Sequence, residues 1–248
     1  MNFTNKTAFI TGAAKGIGKA IALSMAKHGA NLILTDILEE ELRETARQAA
    51  DFGGKVKAVC LDVSDEAAVR AAVNTGIQEF GKIEILINNA GIYPGRNFLA
   101  SNSDQWKQII DINILGTMYP THALLPHMIE NGYGRIVNIA SVAGVYGISY
   151  FVDYSMTKGA ILSFTKALAK LVADKGVTVN CVSPGSIDVT GGSNPMTEHS
   201  FMGRAGTPDE LANVVLFVAS EEASYVSGQN YIVDCCRRLR RCFPEKHS

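Results

Sequence analysis

The sequence predicts an α/β protein: a doubly wound parallel sheet of about seven strands in a three-layer α/β/α arrangement, built as a single domain. Three observations carry this reading. Short apolar segments of strand length alternate with longer segments of helical length and composition nearly throughout the chain. Several short segments, such as Leu32-Ile33-Leu34 and Ile85-Leu86-Ile87, are continuous apolar runs, as expected of strands covered by helices on both faces. The length of 248 residues suits one such domain.

The strands are expected at Thr7–Thr11, Asn31–Asp36, Lys55–Asp62, Glu84–Asn88, Arg135–Ser141, Thr178–Ser183 and Asn230–Asp234. Helices are expected between them at Ile17–Lys27, Glu39–Phe52, Asp65–Phe80, Ser103–Ile129, Asp153–Asp174 and Pro208–Ala219. Gly29, Gly81, Gly132 and Gly176 fall just past helix ends, where a left-handed residue closes the last turn. Ser64-Asp65-Glu66 is a helix-start signal. Ile187–Thr207 is rich in Gly, Ser, Asn, Thr and Pro and reads as a surface loop or lid. Residues 1–236 form the expected domain, and residues 237–248, with five basic residues, read as a solvated, disordered tail.

Composition narrows the function classes. Hydrophobic residues make up 47% and charged residues 19%, which excludes a collagen-like, disordered or coiled-coil chain. Lys and Arg number 23 against 24 Asp and Glu, so no basic excess exists for a nucleic-acid backbone. A membrane role through the arginines of the tail is equally disfavoured. The five cysteines form no CxxC pair and read as buried thiols in a reducing compartment. The dispersed histidines suggest no metal site. No signal peptide pattern opens the chain, and runs such as Val214–Ala219 fall far below the ~20 residues that span a bilayer. A soluble, cytoplasmic protein is expected.

Thr11-Gly12-Ala13-Ala14-Lys15-Gly16-Ile17-Gly18 joins the first strand to the first helix. Glycines there permit a tight turn and let backbone amides approach a pyrophosphate at the helix N-terminus. Asp36 ends the second strand, where a carboxylate can accept both ribose hydroxyls of an adenosine; the plainer role is a turn or N-cap residue. Together the two features favour a dinucleotide site. Tyr154 and Lys158 stand at i and i+4 and share a helix face. A cation about 4 Å from the phenol oxygen contributes roughly 4 kcal/mol at an effective dielectric of 20, which would bring the phenol near pH 7. Ser141 ends the fifth strand, and hydroxyls at that sheet edge point into the ligand cleft.

At this point the chain resembles the short-chain dehydrogenase/reductase family in its one-domain form of about 250 residues, over nearly its whole length. Thr11-Gly12-x-x-x-Gly16-x-Gly18 resembles the family's cofactor loop, Asn88-Asn89-Ala90-Gly91 its motif after the fourth strand, and Asn113, Ser141, Tyr154 and Lys158 its catalytic tetrad. Pro184-Gly185 with Ile187 and Thr190 resembles its nicotinamide-side segment. The resemblance implies a Rossmann-like fold and hydride transfer between a nicotinamide cofactor and a carbonyl or secondary alcohol carbon. It implies Tyr154 as acid/base, Lys158 as the residue that lowers the phenol's pKa and binds the nicotinamide ribose, Ser141 as holder of the substrate oxygen, and Asn113 as part of a water relay. It places Gly12, Lys15, Gly16, Ile17, Gly18, Asp36, Asp62, Val63, Asn89, Ala90, Gly91, Pro184, Gly185, Ile187 and Thr190 along the cofactor.

Asp36 points to NAD(H), because a 2′-phosphate would meet its carboxylate; Lys15 pulls the other way as one flexible, exposed cation. Reductases of 3-oxoacyl carriers, hydroxysteroid dehydrogenases and polyol dehydrogenases are resembled alike, and Tyr93, Tyr146, Phe151 and Met196 are expected to flank the site. A non-catalytic dinucleotide-binding sensor or scaffold is the alternative. Surplus apolar faces at Trp106, Ile109, Ile110, Ile114 and Leu115, and at Ile161, Leu162, Phe164, Leu168 and Leu171, predict a homotetramer. Two departures from the family stand out: a short stretch between Thr190 and Arg204, and Cys235-Cys236 after Val233-Asp234.

Overall fold

A computed structural model describes residues 1–190 and 200–236. The tail at 237–248, with Cys242, and Met196 in the lid stretch lie outside the described residues. Seven strands form one parallel sheet: β1 (Thr7–Thr11), β2 (Asn31–Asp36), β3 (Val56–Cys60), β4 (Ile85–Asn88), β5 (Gly134–Ile139), β6 (Val177–Pro184) and β7 (Asn230–Val233). Their order across the sheet is β3-β2-β1-β4-β5-β6-β7. The order reverses between β1 and β4, where a crevice opens beyond the strand ends.

Alternation along each strand feeds two cores. Ala8, Ile10, Leu32 and Leu34 pack against α1 (Gly16–Lys27), α2 (Glu39–Ala50) and α8 (Pro208–Ala219). Phe9, Ile33, Leu86 and Ile136 face the other way, against α3 (Glu66–Phe80), α5 (Gly116–Glu130) and α7 (Val152–Val172). Both faces being covered explains the continuous apolar runs. Asn88, Asn138 and Thr165 form a buried hydrogen-bonded chain under the crevice, with Asn88 Nδ2 to Asn138 Oδ1 at 2.8 Å and Asn138 Nδ2 to Thr165 Oγ1 at 2.8 Å.

Most expected boundaries hold, and the four helix-ending glycines all have positive φ. At Gly176 a Cβ would lie 2.1 Å from the Gly132 carbonyl oxygen, so only glycine fits. Three expectations need correction. The strand expected to run to Asp62 ends at Cys60; Asp62 instead turns its Oδ1 onto the amide and hydroxyl of Ser64. The helix expected over Ser103–Ile129 is broken into α4 (Ser103–Ile110), a π turn (Asp111–Leu115) and α5. Pro120, inside α5, withholds the amide that would close on Gly116, and Gly116 packs so tightly on Val63 that a Cβ would lie 2.6 Å from Val63 Cγ2. Among the described cysteines only Cys181 is buried; Cys60 and Cys236 are exposed, because they stand at the open end of an edge strand and beyond the last strand.

Candidate active site

The loop from β1 to α1 is set by glycine packing. Gly12 has φ +66°, and a Cβ there would lie 2.7 Å from Ala90 Cα. A Cβ on Gly18 would lie 1.9 Å from the Gly12 carbonyl oxygen. Thr11 Oγ1 accepts from the amides of Asn89 and Ala90 at 3.0 and 3.1 Å, and Asn89 Nδ2 donates to the carbonyls of Thr11 and Gly12 at 3.0 and 2.8 Å. The glycine loop and the Asn89-Ala90-Gly91 segment are therefore one unit across the β1–β4 crevice. Helix α1 starts with no side-chain cap and no acidic residue in its first turn. Its first amides remain available to an anion, so the loop fits the pyrophosphate of a nicotinamide dinucleotide. Gly16 has φ +57°, and a Cβ there would lie 3.5 Å from Val189 Cγ1.

Asp36 is partly buried at the end of β2. Its Oδ2 accepts the Ala14 amide at 3.0 Å and its Oδ1 the Leu38 amide at 3.1 Å. The carboxylate thus fills the turn role and still stands beside the glycine loop. Lys15 is exposed, Ile17 half-buried and Val63 buried against Gly116 at the start of α5. Beyond β6, the Gly185 amide donates to Val233 O, Ile187 bridges to Gly206, and Thr190 donates twice to Asp188 Oδ1. Of this segment Val189, which the sequence did not single out, is the residue against the glycine loop.

Tyr154 and Lys158 lie on α7. Ser141 follows β5 and caps α6 (Val142–Tyr146), its Oγ accepting the Ala143 amide at 3.1 Å. The hydroxyl of Ser141 hydrogen-bonds the Tyr154 phenol. Asn113 sits in the π turn, 1% exposed, with Nδ2 donating to the hydroxyl of Thr157 at 3.1 Å. A Cβ on Gly91 would come within 3.1 Å of Asn113 Oδ1 and 3.6 Å of Lys158 Nζ. The four tetrad positions therefore converge next to Gly91, at the ends of β4 and β5. Gly144, in α6, has no room for a Cβ against the backbone of Lys158, which holds α6 and α7 together.

The electrostatics correct one expectation. The phenol of Tyr154 is pushed up from its usual value, not down. Burial dominates, and Tyr93 adds to it, while the Ser141 hydrogen bond opposes. The Lys158 ammonium lies 5.8 Å from the ring centroid and donates to the Ile139 carbonyl at 2.7 Å. Burial lowers its own pKa to about 8. Attraction to the ammonium alone would lower the phenol, but desolvation opposes the charged form of both groups.

Tyr93 and Phe151 pack edge-on against Tyr154, at 6.3 and 6.0 Å between centroids. Tyr146, the third described residue of the expected rim, is exposed. Two charged residues of this region went unnoticed in the sequence: Asp153, directly before Tyr154, and Arg96, whose Nε lies 3.2 Å from its carboxylate.

A family model described as enoyl-(acyl carrier protein) reductase matches residues 12–235. The chain belongs to the short-chain dehydrogenase/reductase family. It is 37% identical over 246 residues to a 3-oxoacyl-[acyl-carrier-protein] reductase of Thermotoga maritima, covering 94% of this chain and 98% of that protein. It is 36% identical to a cyclohexanol dehydrogenase of an Acinetobacter strain, with 94% of each covered. The crystal structure of a 3-oxoacyl-[acyl-carrier protein] reductase from Brucella melitensis superimposes with a TM-score of 0.87 at 33% identity, over 94% of this chain and 91% of that one. This short-chain dehydrogenase/reductase is thus an oxidoreductase of Rossmann-like fold acting on a small-molecule substrate. No helix among its described residues is long and apolar enough to cross a membrane.

Proposed function

We propose that the protein interconverts a carbonyl and a secondary alcohol with NAD(H), with Tyr154 as acid/base. The observation that supports this most is the convergence of Ser141, Tyr154, Lys158 and Asn113 beside the glycine loop. The bound nicotinamide would supply or accept the hydride. Gly12, Gly16 and Gly18 would seat the pyrophosphate, and Asp36 the adenosine ribose. Ser141 holds the substrate oxygen against the phenol. In reduction Tyr154 gives its proton to that oxygen as the carbonyl carbon becomes an alcohol carbon; in oxidation it takes the proton back. Burial keeps the phenol protonated at neutral pH, so the resting state is an acid, suited to carbonyl reduction. Lys158 supplies the charge that eases proton loss, and Asn113 holds the loop carrying Gly91 beside it.

Asp36 supports NAD(H) as the cofactor. A 2′-phosphate within about 4 Å of the carboxylate would be repelled by several kcal/mol even at an effective dielectric of 20. Lys15, exposed and flexible, offsets only about 0–1 kcal/mol. The relatives' names suggest two substrate classes, 3-oxoacyl thioesters and alicyclic alcohols. Acetoacetyl-CoA and cyclohexanol, each with both cofactors, test them by absorbance of the reduced nicotinamide. Turnover of either that is lost in Tyr154→Phe supports the proposal. Tight dinucleotide binding with no turnover of any carbonyl or alcohol would favour a sensor or scaffold instead.

A cytoplasmic homotetramer completes the proposal. Met118 on α5 and Leu171 on α7 stay exposed while Ile109 and Leu168 face the core, so outer apolar surface is left for a partner. Sedimentation should give a tetramer at micromolar concentration; a stable monomer would refute it.

A further inference from the structure

The loop after β4 and the start of α7 are joined by an ion pair, buried at Asp153 and partly buried at Arg96, that no part of the tetrad requires. Asp153 is 3% exposed at its side chain and Arg96 14%, and Arg96 Nε lies 3.2 Å from Asp153 Oδ2. The other carboxylate oxygen, Oδ1, accepts the backbone amide of Tyr154 at 2.9 Å. The same loop is tied down twice more. The Arg96 amide donates to the Tyr150 carbonyl, and Gly95 packs so closely on the Tyr150 ring that a Cβ would lie 2.3 Å from it. Three residues before Arg96, Tyr93 rests edge-on against the ring of Tyr154. Burying two charges is costly, and exchanging the pair for apolar residues is often neutral or stabilising, so stability alone is a weak reason for it. Nε and Oδ2 also lack hydrogen-bond alignment and have no other partner. The pair is held by charge.

We propose that Arg96 and Asp153 are positioning residues for Tyr154: their ion pair locks the loop that carries Tyr93 onto the first turn of α7 and so fixes where the phenol stands. This rests on the reading of Tyr154 as acid/base. Both residues act through Tyr154 and the loop.

The groups facing the phenol are the Ser141 hydroxyl after β5, Tyr93 in the loop, and Lys158 on α7 itself, with the Arg96–Asp153 pair behind the backbone of Tyr154. The pair is neutral as a whole, so removing one partner leaves a net charge of known sign near the phenol. Arg96→Ala leaves a carboxylate and should move the phenol's titration to higher pH by about half a unit or more; Asp153→Asn leaves a cation and should move it lower. Arg96→Lys should restore most of the wild-type value. The test is the pH profile of kcat/KM with acetoacetyl-CoA or cyclohexanol. Tyrosinate absorbance from about pH 8 to about pH 11, each variant minus its Tyr154→Phe counterpart, accompanies it. Opposite shifts in the two variants, with rescue by Arg96→Lys, support the proposal. A lower thermal midpoint with both titrations unmoved would overturn it, since a merely structural pair behaves that way. If neither substrate turns over, the absorbance still reports on the pair, so failure of the proposed activity and failure of this inference remain distinct.

Discussion

Asn113 and Ile92 exchange two hydrogen bonds: Asn113 Oδ1 accepts the Ile92 amide at 2.8 Å, and Asn113 Nδ2 donates to the Ile92 carbonyl at 2.9 Å. One side chain thus pairs with the loop after β4 as a strand would, while the same Nδ2 reaches Thr157 on α7. Asn113→Ala would orphan the partly buried amide and carbonyl of Ile92. A loss of about 2 kcal/mol of stability is expected, read from the urea midpoint. Turnover should fall by about tenfold or more, since Gly91 loses its support beside Lys158.

Tyr154→Phe should lower turnover by about 10²–10⁴-fold and leave dinucleotide affinity within a few-fold of wild type. The ring contacts with Tyr93 and Phe151 survive, and only the proton-bearing oxygen is lost. Turnover with each reduced cofactor and a fluorescence titration of binding check both halves. Residual activity above about a tenth of wild type would remove the phenol from the mechanism.

The pKa of Lys158 gives a stability signature. It is lowered in the fold to about 8 from its ordinary 10.5. Between those values the unfolded chain holds the extra proton, so this group makes folding more favourable as pH rises from 8 to 10.5 and is flat below 8. Tyr154 and Cys181, both pushed up by burial, act oppositely at the alkaline end. Comparing wild type with Lys158→Met isolates the lysine. The stability difference should move in favour of the wild type by up to about 3 kcal/mol across that window, measured by urea melts at several pH values. A constant difference would mean the ammonium is better solvated than its position suggests.

Asp36→Asn should shift the ratio of kcat/KM for NAD(H) over NADP(H) by about tenfold or more toward NADP(H). The change removes the charge and keeps the shape, with one oxygen left to accept from Ala14 or Leu38. Parallel assays with the two cofactors measure it. An unchanged ratio would move the source of discrimination elsewhere.

The sheet was legible because its signal is local. Apolar runs such as Ile85-Leu86-Ile87 lie in strands covered on both faces, and glycines such as Gly81 mark helix ends by conformation alone. The candidate site was legible at residues with fixed spacing on one element, as Tyr154 and Lys158 have on α7. What escaped notice depends on tertiary contact. The π turn at Asn113 answers to packing around Gly116 and to Pro120, not to a periodicity. Arg96 and Asp153 stand far apart in the chain and meet only in the fold. The upward push on the Tyr154 phenol needed the burial of Tyr154, which no spacing reveals.

The reversal of strand order between β1 and β4 also bears on how the chain reaches its folded state. Ala8 pairs with Ile85, so the strands flanking the crevice are separated by more chain than any other neighbours in the sheet. β1 meets β2, and β2 meets β3, through short excursions, and β4 through β7 follow one another across the other half. Joining the halves carries the largest loop-closure cost, and contacts of that kind form slowly. The Thr11–Asn89–Ala90 hydrogen bonds lie on this same join. A dinucleotide lying across it would recognise only chains whose two halves have met, and by mass action would draw the population toward that assembled form.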